Sequence, residues 1–281
     1  MESFEGVIAV MTGGGGGIGR SMCIELAARG AHLTVSDHSL ERAEETVEAC
    51  LTETPGATVQ AARADVTSTN EMRALAVLVR ETHGTAQLVF ANAGVSPPVG
   101  NVVGRTRADW DFALGVNLFG AINTVDAFVD HLRTNAPDAR LMVTASMGGL
   151  QSTGTMSLGS YIPSKFACIG YCLEIQRELG AEGIDVSILV PGLVYTAMTT
   201  NSAEVRPAHL GKQAAPKRID MPPALRPLAV MPADAARSAI DGLRAGHRLI
   251  ATHADSANNL RDYYAAIVEE LDGQGVEAGI D

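Results

Sequence analysis

The fold is decided near the amino terminus by the stretch Val7-Ile8-Ala9-Val10-Met11-Thr12-Gly13-Gly14-Gly15-Gly16-Gly17-Ile18-Gly19. A short β-branched strand is followed at once by a glycine-rich turn and then by a helix predicted from about Ile18 to Arg29. Glycines permit a tight turn and let the backbone approach a pyrophosphate, while the unpaired N–H groups of the helix attract its charge. The stretch therefore predicts a nucleotide-binding βα unit.

The same alternation continues along the chain. Strands are predicted at Val7–Met11, His32–Ser36, Thr58–Ala64, Leu88–Phe90, Leu141–Thr144, Asp185–Val190 and Arg248–Ala251. Helices are predicted at Ile18–Arg29, Leu40–Leu51, Thr69–Thr82, Arg107–Arg133, Tyr161–Gly180, Ala233–Ala245 and Ala257–Leu271. Strands separated by helices imply an α/β fold: a doubly wound, mostly parallel, Rossmann-type sheet with helices on both faces. Ligands in such sheets bind beyond the carboxyl ends of the strands.

Composition limits the partners. The 281 residues are 46% hydrophobic and 19% charged, an ordinary globular balance whose length suits one sizeable domain or two small ones. We predict a single dinucleotide-binding catalytic domain over residues 1–281. The formal net charge of −11 argues against nucleic acid or an anionic membrane as partner. We find no apolar run near the about 20 residues needed to span a bilayer and no secretory signal in the acidic start. These features predict a soluble cytoplasmic protein.

The four cysteines are Cys23, Cys50, Cys168 and Cys172. Cys168 and Cys172 share a helical face, but no nearby histidine or second cysteine pair completes a zinc-like set. Buried free thiols are the favoured interpretation over metal ligands, and we predict no metal.

Regular patterning breaks between Thr196 and Pro232, a stretch with six of the twelve prolines. A segment of this length inside a domain is usually a lid, a binding loop or disorder. We interpret 196–232 as a substrate lid, with a solvated loop as the alternative, and 272–281 as a frayed tail.

Tyr161 and Lys165 stand four residues apart in Tyr161-Ile162-Pro163-Ser164-Lys165. On a helix they lie on one face, one turn from each other. An ammonium so close to a phenol favours the phenolate form and suits the pair to proton transfer near neutral pH. The spacing alone is common, but together with the glycine-rich turn it indicates catalysis on a bound nucleotide.

Asp37 follows the second predicted strand at the spacing of an acid that binds the adenosine ribose 2′-hydroxyl. Its carboxylate would repel a 2′-phosphate, and Gly16 and His38 supply no compensating fixed cation. NAD is therefore favoured over NADP. The alternative is that Asp37 is an ordinary turn acid or helix cap.

The motifs together resemble the short-chain dehydrogenase/reductase family from Gly6 to about Thr196. The resemblance rests on Thr12–Gly19, Asp65-Val66, Ala91-Asn92-Ala93-Gly94, Asn117, Ser146, Tyr161 with Lys165, and Pro191-Gly192 with Thr196. Ala91 departs from the family's asparagine and removes an amide that ties adjacent strands. The loop Met147–Ser160 is two residues longer than the family pattern.

The resemblance implies hydride exchange between a nicotinamide and a carbinol carbon. The implied catalytic residues are Asn117, holding a relay water; Ser146, hydrogen-bonding the substrate oxygen; Tyr161, the general acid/base; and Lys165, which stabilises the phenolate and holds the nicotinamide ribose. The implied cofactor-binding residues are Gly13, Gly16, Gly17, Ile18, Gly19, Asp37, His38, Asp65, Val66, Asn92, Ala93, Gly94, Tyr161, Lys165, Pro191, Gly192, Val194 and Thr196.

The substrate pocket is predicted at Ser146, Met147, Met156, Leu158, Tyr161, Tyr195 and Met198, with Leu150 nearby. Core or surface packing is the alternative for each apolar member. The carboxy-terminal part is similar in style to the family's bacterial dehydrogenases for bulky aromatic secondary alcohols, including lignin-type Cα-dehydrogenases. This resemblance implies NAD-dependent interconversion of a bulky aromatic or alicyclic secondary alcohol and its ketone.

Two other functions remain open. The first is an NADPH-dependent 3-oxoacyl thioester reductase whose carrier binds Lys212, Lys217 and Arg218. The second is a non-catalytic NAD-binding scaffold or sensor. The family also implies a homodimer or homotetramer, which fits helices at 107–133 and 161–180 that are apolar around much of their circumference.

Overall fold

The computed structural model describes residues 3–152, 157–211 and 226–273. Within them, seven strands form one fully parallel sheet in the order β3-β2-β1-β4-β5-β6-β7. The strands are β1 Ile8–Thr12, β2 His32–Asp37, β3 Val59–Arg63, β4 Leu88–Ala91, β5 Arg140–Thr144, β6 Asp185–Val190 and β7 Leu249–Ala251. The helices are α1 Gly17–Ala28, α2 Leu40–Glu53, α3 Thr69–Thr82, α4 Arg107–Leu114, α5 Gly120–Thr134, α6 Tyr161–Ala181, α7 Met198–Val205, α8 Pro232–Arg244 and α9 Ser256–Asp272.

Helices cover both faces of the sheet, as predicted. Successive side chains of a strand point to opposite faces, so Val10 packs into the core under α3, α5 and α6. Its neighbours Ala9 and Met11 pack into the opposite core with α1 and α8. The doubly wound Rossmann-type fold is confirmed.

The predicted helix over 107–133 contains an irregularity. α4 and α5 are joined by a π-helical turn at Gly115–Phe119, a feature that often marks functional sites. By length and composition alone, the stretch Arg107–Thr134 could cross a membrane. This corrects the expectation that the chain has no apolar run long enough to span a bilayer. Its apolar side chains Phe112, Val125 and Phe128 are buried in the protein itself, as in the core helix of a soluble fold.

Part of the segment predicted to be irregular is helical. α7 occupies Met198–Val205, and short 3-10 turns follow at Ala208–Leu210 and Arg226–Leu228. The α7 sequence holds β-branched and small polar residues with modest helix propensity, so tertiary contacts stabilise it. Lys212, Lys217, Arg218 and the tail from 274 onward lie outside the described residues.

All four cysteines are free and buried, as predicted. Burial raises the pKa of the Cys50 thiol to about 11. Since the thiolate is the reactive form, burial disfavours the reactive form of this cysteine.

Candidate active site

A cleft of about 1290 Å³ opens at the carboxyl end of the sheet. Strand order reverses between β1 and β4, and the loops after these strands form its floor. In doubly wound sheets this reversal is where ligands bind. The cleft exceeds the volume of an ordinary small-molecule site, so it has room for a dinucleotide and a second molecule.

The glycine-rich turn fits a pyrophosphate. A Cβ atom placed on Gly13 would lie 2.7 Å from Cα of Ala93, and one on Gly19 would lie 2.3 Å from the carbonyl oxygen of Gly13. Gly13 and Gly17 also have positive φ angles of 63° and 54°, which glycine tolerates best. Side chains are thus excluded where the backbone borders the cleft, leaving its N–H groups at the start of α1 to meet an anion.

The end of β2 borders the same turn. Asp37 accepts hydrogen bonds from the backbone N–H groups of Gly15 at 3.0 Å and Ser39 at 3.1 Å. It lines the cleft together with His38. A cation missed in the sequence, Arg42, also lines the cleft one helical turn further on. A helix beginning just after Asp37 could have indicated it.

Asn92 joins three strand ends. Its side-chain N–H₂ donates to the carbonyl oxygens of Thr12 at 3.1 Å and Gly13 at 3.2 Å, and its Oδ1 accepts from Thr144 at 3.0 Å. Asn92 therefore ties β1, β4 and β5 together although Ala91 lacks an amide. Ala93 and Gly94 line the cleft beside it, as do Asp65 and Val66 after β3.

Tyr161 and Lys165 both line the cleft in the first turns of α6. Lys165 is 1% exposed, and its Nζ donates to the carbonyl oxygen of Thr144 at 3.0 Å. Nζ lies 5.9 Å from the centroid of the Tyr161 ring. Burial against a backbone carbonyl fixes the ammonium beside the phenol.

Ser146 lies opposite this pair, after β5. Its Oγ accepts from the N–H of Gly148 at 3.1 Å. A Cβ atom placed on Gly148 would lie 3.5 Å from Ser146 Oγ and 4.0 Å from Cε1 of Tyr161, so the two hydroxyl-bearing residues flank this glycine. The cleft thus gathers Ser146, Tyr161 and Lys165 in one corner.

Asn117 lies behind the cleft wall, in the π-helical turn. Its side chain accepts from Val95 N–H at 2.8 Å and donates to Val95 C=O at 3.0 Å and Ser164 Oγ at 2.9 Å. Both side-chain N–H donors are therefore engaged, and one lone pair of Oδ1 remains. A Cβ atom on Gly94 would lie 3.4 Å from this oxygen and 3.5 Å from Lys165 Nζ.

The loop after β6 completes the cofactor side. Pro191, Gly192, Val194 and Thr196 line the cleft. Val194 pairs with Val230 in a parallel bridge whose bonds use the backbones of Leu193 and Tyr195. Because successive backbone groups of a strand point to opposite sides, the N–H and C=O of Val194 face away from Val230.

His253 secures that loop from the end of β7. Its Nε2 lies 3.1 Å from the carbonyl oxygens of both Leu193 and Leu228. The imidazole thus holds the start and the return of the segment that contains α7. Neither the histidine nor this role was predicted, because the contact joins positions far apart in the chain.

The predicted substrate side is partly apolar. Met147, Leu158, Tyr195 and Met198 line the cleft. Leu150 does not, since it packs against the core and its carbonyl oxygen accepts from Tyr264; Met156 lies outside the described residues. The lining also includes residues not predicted from sequence: Val99, Phe112, Ser202, Val205, Pro207, His209 and Leu210.

A buried ion pair fixes the end of α7 to the substrate wall. Arg206 Nη1 lies 2.9 Å from Asp109 Oδ1, with the side chains only 5% and 13% exposed. The guanidinium also lies over the ring of Phe112, 5.3 Å from its centroid.

Comparison with known proteins decides the family. The family model of short chain dehydrogenases matches residues 7–207. The chain belongs to the short-chain dehydrogenase family. It is therefore an oxidoreductase that binds a nicotinamide cofactor and acts on small molecules.

Three relatives bear on this short-chain dehydrogenase. It is 29% identical to levodione reductase of Leifsonia aquatica, over 78% of its own length and 81% of that protein. It is 28% identical to the 3-oxoacyl-(acyl-carrier-protein) reductase of Staphylococcus aureus, over 68% and 76%. A short-chain dehydrogenase/reductase of Burkholderia phymatum in complex with NAD superposes with a TM-score of 0.84 at 29% identity, covering 96% of this chain and 97% of that one.

Proposed function

We propose that this short-chain dehydrogenase interconverts a secondary alcohol and a ketone with NAD(H), and that the substrate is a bulky aromatic or alicyclic compound. The observation that carries the proposal is the convergence of Ser146, Tyr161 and Lys165 in the cleft that the glycine-rich turn borders. A proton-transfer group and a dinucleotide site share one cavity.

When bound, the nicotinamide supplies or accepts the hydride. Tyr161 takes the proton from the alcohol oxygen or returns it to the carbonyl oxygen. Lys165 holds its buried ammonium 5.9 Å from the centroid of the Tyr161 ring, and Ser146 hydrogen-bonds the substrate oxygen. Asn117 positions Ser164 and Val95 and offers its remaining Oδ1 lone pair to a water that relays protons toward Lys165.

NAD is the proposed cofactor. Asp37 ends the second strand beside the glycine-rich turn, and an acid at that point of the fold would bind the ribose 2′-hydroxyl and repel a 2′-phosphate. The Burkholderia phymatum relative is in complex with NAD, which supports the assignment.

The proposed substrate class rests on the apolar wall. Met147, Leu158 and Met198 line this wall, and methionines adapt to irregular shapes. The name of levodione reductase denotes a dione as substrate of that relative. Likeness to the 3-oxoacyl-(acyl-carrier-protein) reductase keeps a thioester substrate as the second candidate.

We propose one catalytic domain over 1–281, with residues 196–232 as its substrate lid and the cytoplasm as its location. We also propose that the chain assembles as a homodimer or homotetramer through α5 and α6.

The test is a panel of cyclic, aryl and aliphatic secondary alcohols and ketones, assayed with NAD(H) and NADP(H) in parallel. We expect turnover of ring-bearing compounds with NAD(H). Tyr161→Phe should lower kcat by about 10²- to 10⁴-fold, the range for loss of a general acid/base, while NADH still binds. Activity confined to acyl thioesters would overturn the substrate proposal, and unchanged turnover in Tyr161→Phe would overturn the catalytic one.

A further inference from the structure

Two side chains meet across the adenosine end of the cleft. Arg42, in the first turn of α2, forms an ion pair with Glu204 of α7. α2 belongs to the cofactor half of the sheet, whereas α7 belongs to the segment over the substrate side. The pair therefore links the helix beside the nucleotide to the helix that covers the cleft.

Arg42 lies next to Asp37, the acid proposed to bind the adenosine ribose. A Cβ atom placed on Gly15 would lie 2.7 Å from Cβ of Arg42 and 2.8 Å from the carboxylate of Asp37. In Rossmann-type sites an arginine at this location accommodates a 2′-phosphate, and a guanidinium can bind phosphate oxygens in bidentate fashion. Arg42 thus provides a cation for NADP that opposes the preference set by Asp37.

Glu204 is placed by a docked helix. In the preceding turn, Ser202 Oγ accepts from the N–H of Ser96 at 2.8 Å in a buried contact. Nδ2 of Asn201 lies 3.7 Å from a Cβ atom placed on Gly16. In the next residues Arg206 pairs with Asp109. These contacts on both sides bring the Glu204 carboxylate to Arg42.

We propose that Glu204 determines cofactor specificity: carried by α7, it occupies the Arg42 guanidinium and excludes a 2′-phosphorylated dinucleotide. A 2′-phosphate would have to displace Glu204 from Arg42 while lying close to Asp37, against two carboxylates. A 2′-hydroxyl leaves the ion pair intact, so NAD is accepted with α7 docked. This inference rests on the proposed dinucleotide site and adds to it Glu204, the residue that keeps Arg42 from binding a 2′-phosphate.

The test measures binding of NADH and NADPH by fluorescence titration, which needs neither substrate nor turnover. In Glu204→Gln we expect NADPH affinity to rise about fivefold or more, since a charged pair partner is freed for the phosphate. NADH affinity should change by less than about twofold on loss of an exposed ion pair. Glu204→Ala should behave alike, which guards against a defect specific to glutamine.

Two further variants complete the design. Adding Arg42→Gln to Glu204→Gln should abolish the NADPH gain, because the freed guanidinium is its cause. Glu45→Gln is the matched control: Glu45, on the surface of α2, also pairs with an arginine, Arg20 of α1, and the loss of this pair should leave both affinities unchanged.

If Glu204→Gln weakened the binding of NADH and NADPH equally, the ion pair would only hold α7 in place and the proposal would be overturned. Unchanged NADPH affinity in this variant would overturn it as well. An enzyme inactive on every alcohol tested would refute the proposed reaction but leave this binding experiment readable. Failure of both dinucleotides to bind the wild-type protein would refute the dinucleotide site itself.

Discussion

At the scale of single residues, Gly148 and Gly149 bring the turn after β5 against the helix that carries Tyr161 and Lys165. A Cβ atom on Gly149 would lie 2.5 Å from the carbonyl oxygen of Lys165 and 2.8 Å from Cγ1 of Ile169. The first neighbour is backbone and cannot rotate away. The spacing between Ser146 and α6 therefore depends on a missing side chain.

We expect Gly149→Ala to destabilise the protein by about 1–3 kcal/mol through overpacking. It should also lower kcat by at least about tenfold, since small misplacement of reacting groups is costly. Urea unfolding and steady-state kinetics measure the two effects.

Gly180→Ala is the control, on the same helix. A Cβ atom there meets nothing within 4 Å, so the change should be neutral or stabilise by roughly 0.5–1 kcal/mol, the helix-propensity gain over glycine. Wild-type kinetics in Gly149→Ala would contradict the role assigned to the turn.

The sequence predicted most of the cleft residues that lie in loops directly after the carboxyl ends of strands. Gly13, Asp37, Ser146 and Tyr161 all line the cleft because the carboxyl ends of parallel strands meet at one edge. His253 was missed because its position depends on where the seventh strand packs, which no local pattern encodes. Arg42 was missed although it lies in the first turn of a helix that the sequence did predict.

At the scale of elements, α7 is the piece that sequence reasoning described least well. The prolines that follow it in the chain and its weak periodicity correctly indicated a departure from the βα repeat, but the helix itself depends on packing against the rest of the protein. Two buried contacts hold it: the hydrogen bond from Ser96 N–H to Ser202 Oγ and the Arg206–Asp109 ion pair at its carboxyl end.

Asp109→Asn should leave the buried guanidinium without a counter-charge and cost about 3–5 kcal/mol where the pair is lost. Because the pair holds the segment after α7, hydrogen exchange should accelerate over residues 198–210 and KM for the substrate should rise. Asp234→Asn removes an exposed pair with Arg237 and should cost at most about 1 kcal/mol. Unaltered exchange in Asp109→Asn would show that other contacts suffice to hold α7.

At the scale of the whole molecule, apolar side chains remain on the surface of the helices that flank the site. Phe119 is 54% exposed before α5, and Leu173 on α6 is 55% exposed, with Phe166 close by in sequence at 39%. Exposed apolar area of this kind is typical of an interface.

We expect light scattering at micromolar concentration to give a dimer or tetramer for the wild-type protein. Leu173→Glu should shift it to a smaller species, because a carboxylate would be buried without a partner. Val77→Glu, at an equally exposed residue of α3, should leave the mass unchanged. A monomeric wild-type protein would refute assembly through α5 and α6.

The imidazole of His253 has a consequence for how the active site can change. It holds Leu193 and Leu228 at one point, and the Val194–Val230 bridge secures the same junction. The chain between Leu193 and Leu228 therefore begins and ends at two points that His253 holds together. Lengthening the chain between them would add little to the entropy cost of closing the loop. Replacing the chain between these two points should therefore change which alcohols fit, and a replacement that lacks Glu204, the partner of Arg42, should change the choice of dinucleotide as well.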